Sequence, residues 1–249
     1  MARALAAEDA DLLLAARSEE KLDEVLRSLP PDGKRLAQRC DVTSAADRRA
    51  LAARAVKEFG RLDVLVNNAG VEELGSFAEK DPAAVERIIA TNLLAPMLLT
   101  RDVLPGMLER KSGHVVNIAS LAGRTGMPFG AAYSGSKGGL AEWSISLAAE
   151  LAGSGVAVSV ICPGFVDGTG MFSRKEVSAP RSLGVSHPED VARALLRVLA
   201  TRKIEVVVNP KPVRLLMALK ALSPAAALAV GRKLGLVDFL RQIARRTGM

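Results

Sequence analysis

Ser120-Leu-Ala-Gly-Arg-Thr-Gly-Met-Pro-Phe-Gly-Ala-Ala-Tyr133-Ser-Gly-Ser-Lys137 lies between two apolar runs, and those flanks decide how the chain is read. Upstream, Val115-Val116-Asn117-Ile118 has the composition of a buried strand. Downstream, Leu140 to Leu151 has the periodicity of a helix. With Tyr133 and Lys137 early in that helix, a spacing of four puts them on one face, one turn apart. A phenol with a pKa of about 10 is a poor acid–base group at neutral pH. An ammonium held nearby favours the phenolate and lowers that pKa. Ser120, at the strand's end, offers a hydroxyl toward the same point. A half-buried helix tyrosine and a solvated lysine would show the same spacing, so the rest of the chain has to decide.

Outward from this stretch, strand and helix signals alternate. Leu12 to Ala16 is a short apolar run suited to a parallel sheet covered on both faces. Helix-forming residues follow from Glu19 to Leu29, then a Pro30-Pro31-Asp32-Gly33 turn and a strand from Arg35 to Val42. Ser44-Ala-Ala-Asp47 reads as a capping box opening a helix to Phe59, which Gly60 stops. Leu62 to Val66 is a strand, and Pro82 to Arg110 a long helix with Pro96 and Pro105 as kinks or breaks. Val156 to Ile161 is a strand leading to Pro163-Gly164. Ser186-His187-Pro188-Glu189 caps a helix to about Leu199, and Ile204 to Val208 is the last strand. Such alternation predicts a doubly wound parallel α/β sheet with ligands at the carboxyl ends of its strands. Arg17, Asp41, Asn68, Ser120 and Val166 all fall at such ends.

The ordered set Asn67-Asn68-Ala69-Gly70, Asn92, Ser120, Tyr133-x-x-x-Lys137 and Pro163-Gly164 resembles the short-chain dehydrogenase/reductase family, over residues 2 to about 209. The resemblance implies a Rossmann-like fold in which Tyr133 passes the proton and Lys137 lowers its pKa and binds the nicotinamide ribose. Ser120 would hold the substrate oxygen, and Asn92 a water relaying protons to solvent. Asn68 would bond the adenosine half of the cofactor, Asp41 and Val42 would touch the adenine, and the Val166 backbone would hold the carboxamide. Asp41 could equally cap its own loop. The family commonly has a threonine four residues after the Pro-Gly glycine; here Gly168 stands there and Thr169 comes next. Where an acid would bind a ribose hydroxyl, Arg17 offers a planar cation suited to a 2′-phosphate, so NADP is expected over NAD. In the family a first strand and a glycine-rich turn cradle the pyrophosphate. Ala2 to Ala7 resembles the tail of the helix that follows them. The expectation is therefore a sheet without that strand and turn, its neighbours left with unpaired edges.

Composition narrows the alternatives. The 249 residues are 49% hydrophobic and 3% aromatic, so the core is aliphatic. Cys40 and Cys162 sit in strand-like runs and read as reduced core residues of a cytoplasmic protein. His114 and His187 have no metal-ligand spacing, and no metal site is expected. No run of about 18 apolar residues is free of charges and breakers, so no membrane span is expected. The net charge of +7 resides in residues 211–249, with eight Lys and Arg against Asp238, whereas residues 1–210 hold 26 basic and 26 acidic residues. Without aromatic platforms or a reading helix, that charge does not point to nucleic acid. The division expected is an oxidoreductase domain, 1–210, and a basic amphipathic helical extension, 211–249. Leu236, Phe239, Leu240 and Ile243 share a helical face opposite Arg241, Arg245 and Arg246. That face could meet a membrane surface through 235–249, cover the substrate cleft, or pack on a second subunit of a homo-oligomer. The function expected is an NADP-dependent oxidoreductase interconverting a small-molecule carbonyl and a secondary alcohol. The alternative is a non-catalytic relative that serves as a binding or oligomerisation partner.

Overall fold

The structure, a computed structural model, describes residues 1–167 and 184–247. A short helix α1 (Ala2–Ala6) leads to β1 (Leu12–Ala16), α2 (Glu19–Arg27), β2 (Arg35–Arg39), α3 (Ala45–Phe59) and β3 (Val64–Asn67). After α4 (Pro82–Ile89) the helix continues through a π turn, Ala90–Leu94, into α5 (Ala95–Glu109). Next come β4 (Gly113–Ile118), α6 (Leu121–Thr125), α7 (Ala131–Glu150), β5 (Val156–Pro163), and the short pair β6 (Phe165–Val166) and β7 (Val185–Ser186). The chain closes with α8 (Pro188–Thr201), β8 (Glu205–Val208), α9 (Arg214–Leu222), α10 (Pro224–Lys233) and α11 (Leu236–Thr247).

All strand pairs are parallel. β3-β4-β5-β8 form one sheet and β1-β2 another, and among the described residues no main-chain pairing joins β1 to β3. Asn67 pairs in register with Asn117, and Ile118 with Ile161, which brings the carboxyl ends of β3, β4 and β5 level. Why β4 reads as a continuous apolar run is plain from its neighbours. Val116 and Ile118 pack with Ile161 against Val191, Leu195 and Val198 of α8. Val115 packs on the other face with Met107, Leu147 and Leu151 of the α5–α7 layer. Each fully buried valine contributes roughly 1.5–3 kcal/mol, so both faces need an apolar side chain.

Ser44 caps α3 through the Asp47 amide (3.2 Å), and Gly60 ends it with φ 75°. The α-helical pattern is interrupted at the π turn, while Pro96 stands in the first turn of α5 and Pro105 lies inside it. Pro82–Glu109 is long and apolar enough to cross a bilayer, but it carries charges and prolines, and Ala84, Ile88, Asn92, Ala95 and Leu99 are buried in the fold. α7 carries the chain's one tyrosine and its one tryptophan, Trp143, which packs between two core clusters. Cys40 and Cys162 are free and buried.

The extension is three helices. Its last, α11, folds back so that Phe239, Leu240, Ile243 and Ala244 pack with Leu74, Met127, Phe129 and Phe165. The Phe165 and Phe239 rings meet edge to face, 5.6 Å apart. This corrects one reading of 235–249: the apolar face of α11 is consumed inside the fold and is not presented to a membrane. Packing against this cluster removes more apolar surface from water than an isolated surface helix could.

Candidate active site

Ser120 leaves β4 in extended conformation and caps α6, accepting from the Ala122 amide (3.1 Å) and donating to Pro163 O (3.4 Å). Tyr133 and Lys137 lie in the first two turns of α7, both buried. The two helices touch through glycines: a Cβ on Gly123 would run into Gly138 N and stand 2.6 Å from Lys137 C. That bare contact brings Ser120 close enough to Tyr133 to act on its hydroxyl. Burial, with the Glu72 carboxylate adding to it, raises the phenol's pKa above the ordinary tyrosine range, and Ser120 opposes the rise. The expected lowering by Lys137 is not what this arrangement gives. The Lys137 ammonium donates to Ile118 O (2.7 Å), and burial pushes its pKa down to about 8.

Asn92 is fully buried at the π turn. Its Oδ1 accepts from Val71 N (2.8 Å), and its Nδ2 donates to Val71 O (2.8 Å) and Ser136 Oγ (3.0 Å). The carboxamide thus ties the 70–71 loop to α7. Of the neighbouring asparagines, Asn68 is exposed after β3. Asn67 is buried and donates to Asn117 Oδ1 (2.8 Å), which is in turn joined to Ser144 through Asn117 Nδ2 (2.8 Å). Arg17 is exposed immediately after β1. Asp41 Oδ1 accepts from Thr43 Oγ1 (2.7 Å) and Thr43 N (2.9 Å), so Asp41 caps its own loop. These Thr43 bonds hold the Asp41 carboxyl below the usual range, and Arg17 and Arg39 add to the effect. Val42 offers its carbonyl to Arg48 Nη1 (2.6 Å). Val166 is half-buried on β6, in register with Ser186. Gly168 and Thr169 lie outside the described residues.

Two features escaped the sequence. Glu72 has no motif, and only the fold brings its charge to Tyr133. The α6 turn was hidden in a Gly-rich stretch. His114, by contrast, is spoken for: it bonds Ser159 Oγ (2.8 Å), and burial pulls its pKa to about 4, leaving a neutral ring. Among the described residues no cluster of His, Cys, Asp and Glu could hold a metal.

The donors around Gly70 suit a nicotinamide cofactor. A Cβ on Gly70 would lie 3.3 Å from both Lys137 Nζ and Asn92 Oδ1, so the bare glycine leaves approach to a buried ammonium. With one hydrogen committed to Ile118 O, that ammonium keeps donors for sugar hydroxyls.

Residues 1–179 match the family model described as short chain dehydrogenase. The chain is 42% identical to a ketoacyl reductase, HetN, of Nostoc sp. (strain PCC 7120), over 96% of this chain and 85% of that protein. It is 34% identical to the bovine (Bos taurus) dehydrogenase/reductase SDR family member 7B, over 90% of this chain and 73% of that one. Among solved structures, a metagenomic short-chain oxidoreductase in complex with NADP superposes with a TM-score of 0.71 at 36% identity, covering 84% of this chain and 90% of the other. With parallel strands, a Ser-Tyr-Lys cluster at their carboxyl ends and these relatives, the chain belongs to the short-chain dehydrogenase family of NAD(P)-dependent oxidoreductases.

Proposed function

We propose that this protein is an NADP-dependent oxidoreductase that interconverts a carbonyl and a secondary alcohol, with Tyr133 passing the proton. The observation that carries the reading is the buried Tyr133 hydroxyl, one helical turn from the buried Lys137 ammonium and close to the half-buried Ser120. The nicotinamide, when bound, supplies or accepts the hydride. Ser120 donates to the carbonyl oxygen and orients it. Tyr133 gives that oxygen its proton during reduction and removes it during oxidation. A phenol whose pKa is raised by burial holds its proton at neutral pH, which favours reduction. Lys137 supplies positive charge and sugar-hydroxyl donors next to Gly70. Arg17 supports NADP because an exposed guanidinium at the end of β1 suits a 2′-phosphate.

Relatives named as ketoacyl reductases make a 3-ketoacyl thioester the first substrate to try. Tyr133→Phe removes the proton and keeps the ring. It should lower kcat by about a hundredfold or more with the melting temperature preserved. Turnover of a confirmed ketone that stays within a few-fold of the unsubstituted enzyme would overturn the mechanism.

A further inference from the structure

The α9–α10 hairpin carries apolar surface that is exposed among the described residues. Leu215 is 77% exposed, Leu222 87% and Leu228 54%. On α9, positions 215, 218 and 222 recur at three and four residues and share one exposed face, and Leu228 is exposed on α10, which packs against α9. Lys211, Arg214, Arg232 and Lys233, in and just before the same hairpin, are all exposed, and none forms an ion pair among the described residues. Residues 211–235 contain no acid. The fifth cation there, Lys220, points inward: its Nζ donates to Arg124 O (2.8 Å), which pins α9 to α6 and fixes the face that looks out.

We propose that this face docks on an anionic lipid bilayer. The leucines enter the boundary between headgroups and acyl chains, while the cations meet lipid phosphates. Charge decides between occupants. A two-fold contact with a second copy would set this basic face against itself, with no carboxylate in the hairpin to meet it. A protein partner would call for aromatic anchors, and residues 211–235 contain no Phe, Tyr or Trp. The surface is distinct from α11, whose apolar face is buried.

Vesicle flotation of the full chain tests this. The protein should float with phosphatidylglycerol/phosphatidylcholine vesicles at low salt. Binding should be weaker by about tenfold or more on pure phosphatidylcholine or at high salt, since each cation near the surface contributes roughly fivefold. Leu215→Glu with Leu222→Glu should lower binding by at least about tenfold with an unchanged melting curve, because both side chains are exposed. Arg232→Glu with Lys233→Glu should weaken binding to the anionic vesicles alone. If the leucine pair fails to fold, Leu222→Ser supplies the same comparison. Equal flotation of wild type and folded variants overturns the proposal, as does no flotation at low salt. Light scattering that shows a dimer dissolved by the leucine changes, without vesicle binding, overturns it in favour of a second copy.

Discussion

Lys137 is the residue at which stability and chemistry pull in opposite directions. Its pKa falls from the ordinary 10.5 to about 8 in the fold. Between those values the unfolded chain binds the proton and the folded chain does not, so stability rises with pH across that window, and below about 8 the burial penalty is complete. Lys137→Met removes the penalty. It should stabilise the protein at pH 7 by roughly 1–3 kcal/mol in thermal melts while abolishing reductase activity. A destabilised variant would mean that the bond to Ile118 O outweighs burial. Arg17 offers a separate test of the proposed cofactor. Arg17→Asp adds a carboxylate close to Asp41 and should move the NADPH/NADH ratio of kcat/KM toward NADH by about tenfold or more. An unchanged ratio removes Arg17 as the selector. Both residues were legible in the sequence, one by spacing from Tyr133 and the other by its place at a strand end. The direction of the Tyr133 shift was not legible, because it depends on how deeply the phenol is enclosed and on Glu72, which is remote from it in sequence.

At the scale of elements, the α6–α7 contact is the most exacting. Gly123→Ala has no room, and overpacking should cost about 1–3 kcal/mol and separate Ser120 from Tyr133, lowering kcat by about tenfold. Gly135→Ala, on α7, meets nothing within 4 Å and should stabilise by roughly 0.4–1 kcal/mol. Thermal melts and steady-state rates of the two variants side by side check the contrast; equal effects would dismiss the close approach as the cause. Sequence periodicity found the main strands and helices because each buries a face that repeats locally. It missed the π turn, because a helix carrying one extra residue keeps the composition of a helix. It left the destination of α11 open among three surfaces, since amphipathicity names a face and not what lies opposite.

Across the whole molecule, the segregation of charge was plain from the sequence: a neutral body and a basic extension. Which of its three helices presents that charge beside apolar surface could be known only once α11 had folded back. The aliphatic composition was equally legible, and it has an optical consequence. With one tyrosine and one tryptophan, both on α7, each chromophore reports one known site. Phenolate absorbance across a pH titration belongs to Tyr133 alone and should appear only above the range of free tyrosine. Trp143 emission follows the packing of the same helix, ten residues further along. The protonation state of the Tyr133 hydroxyl and the integrity of the helix that carries it can therefore be followed in one unlabelled sample, by absorbance and fluorescence, while cofactor is added.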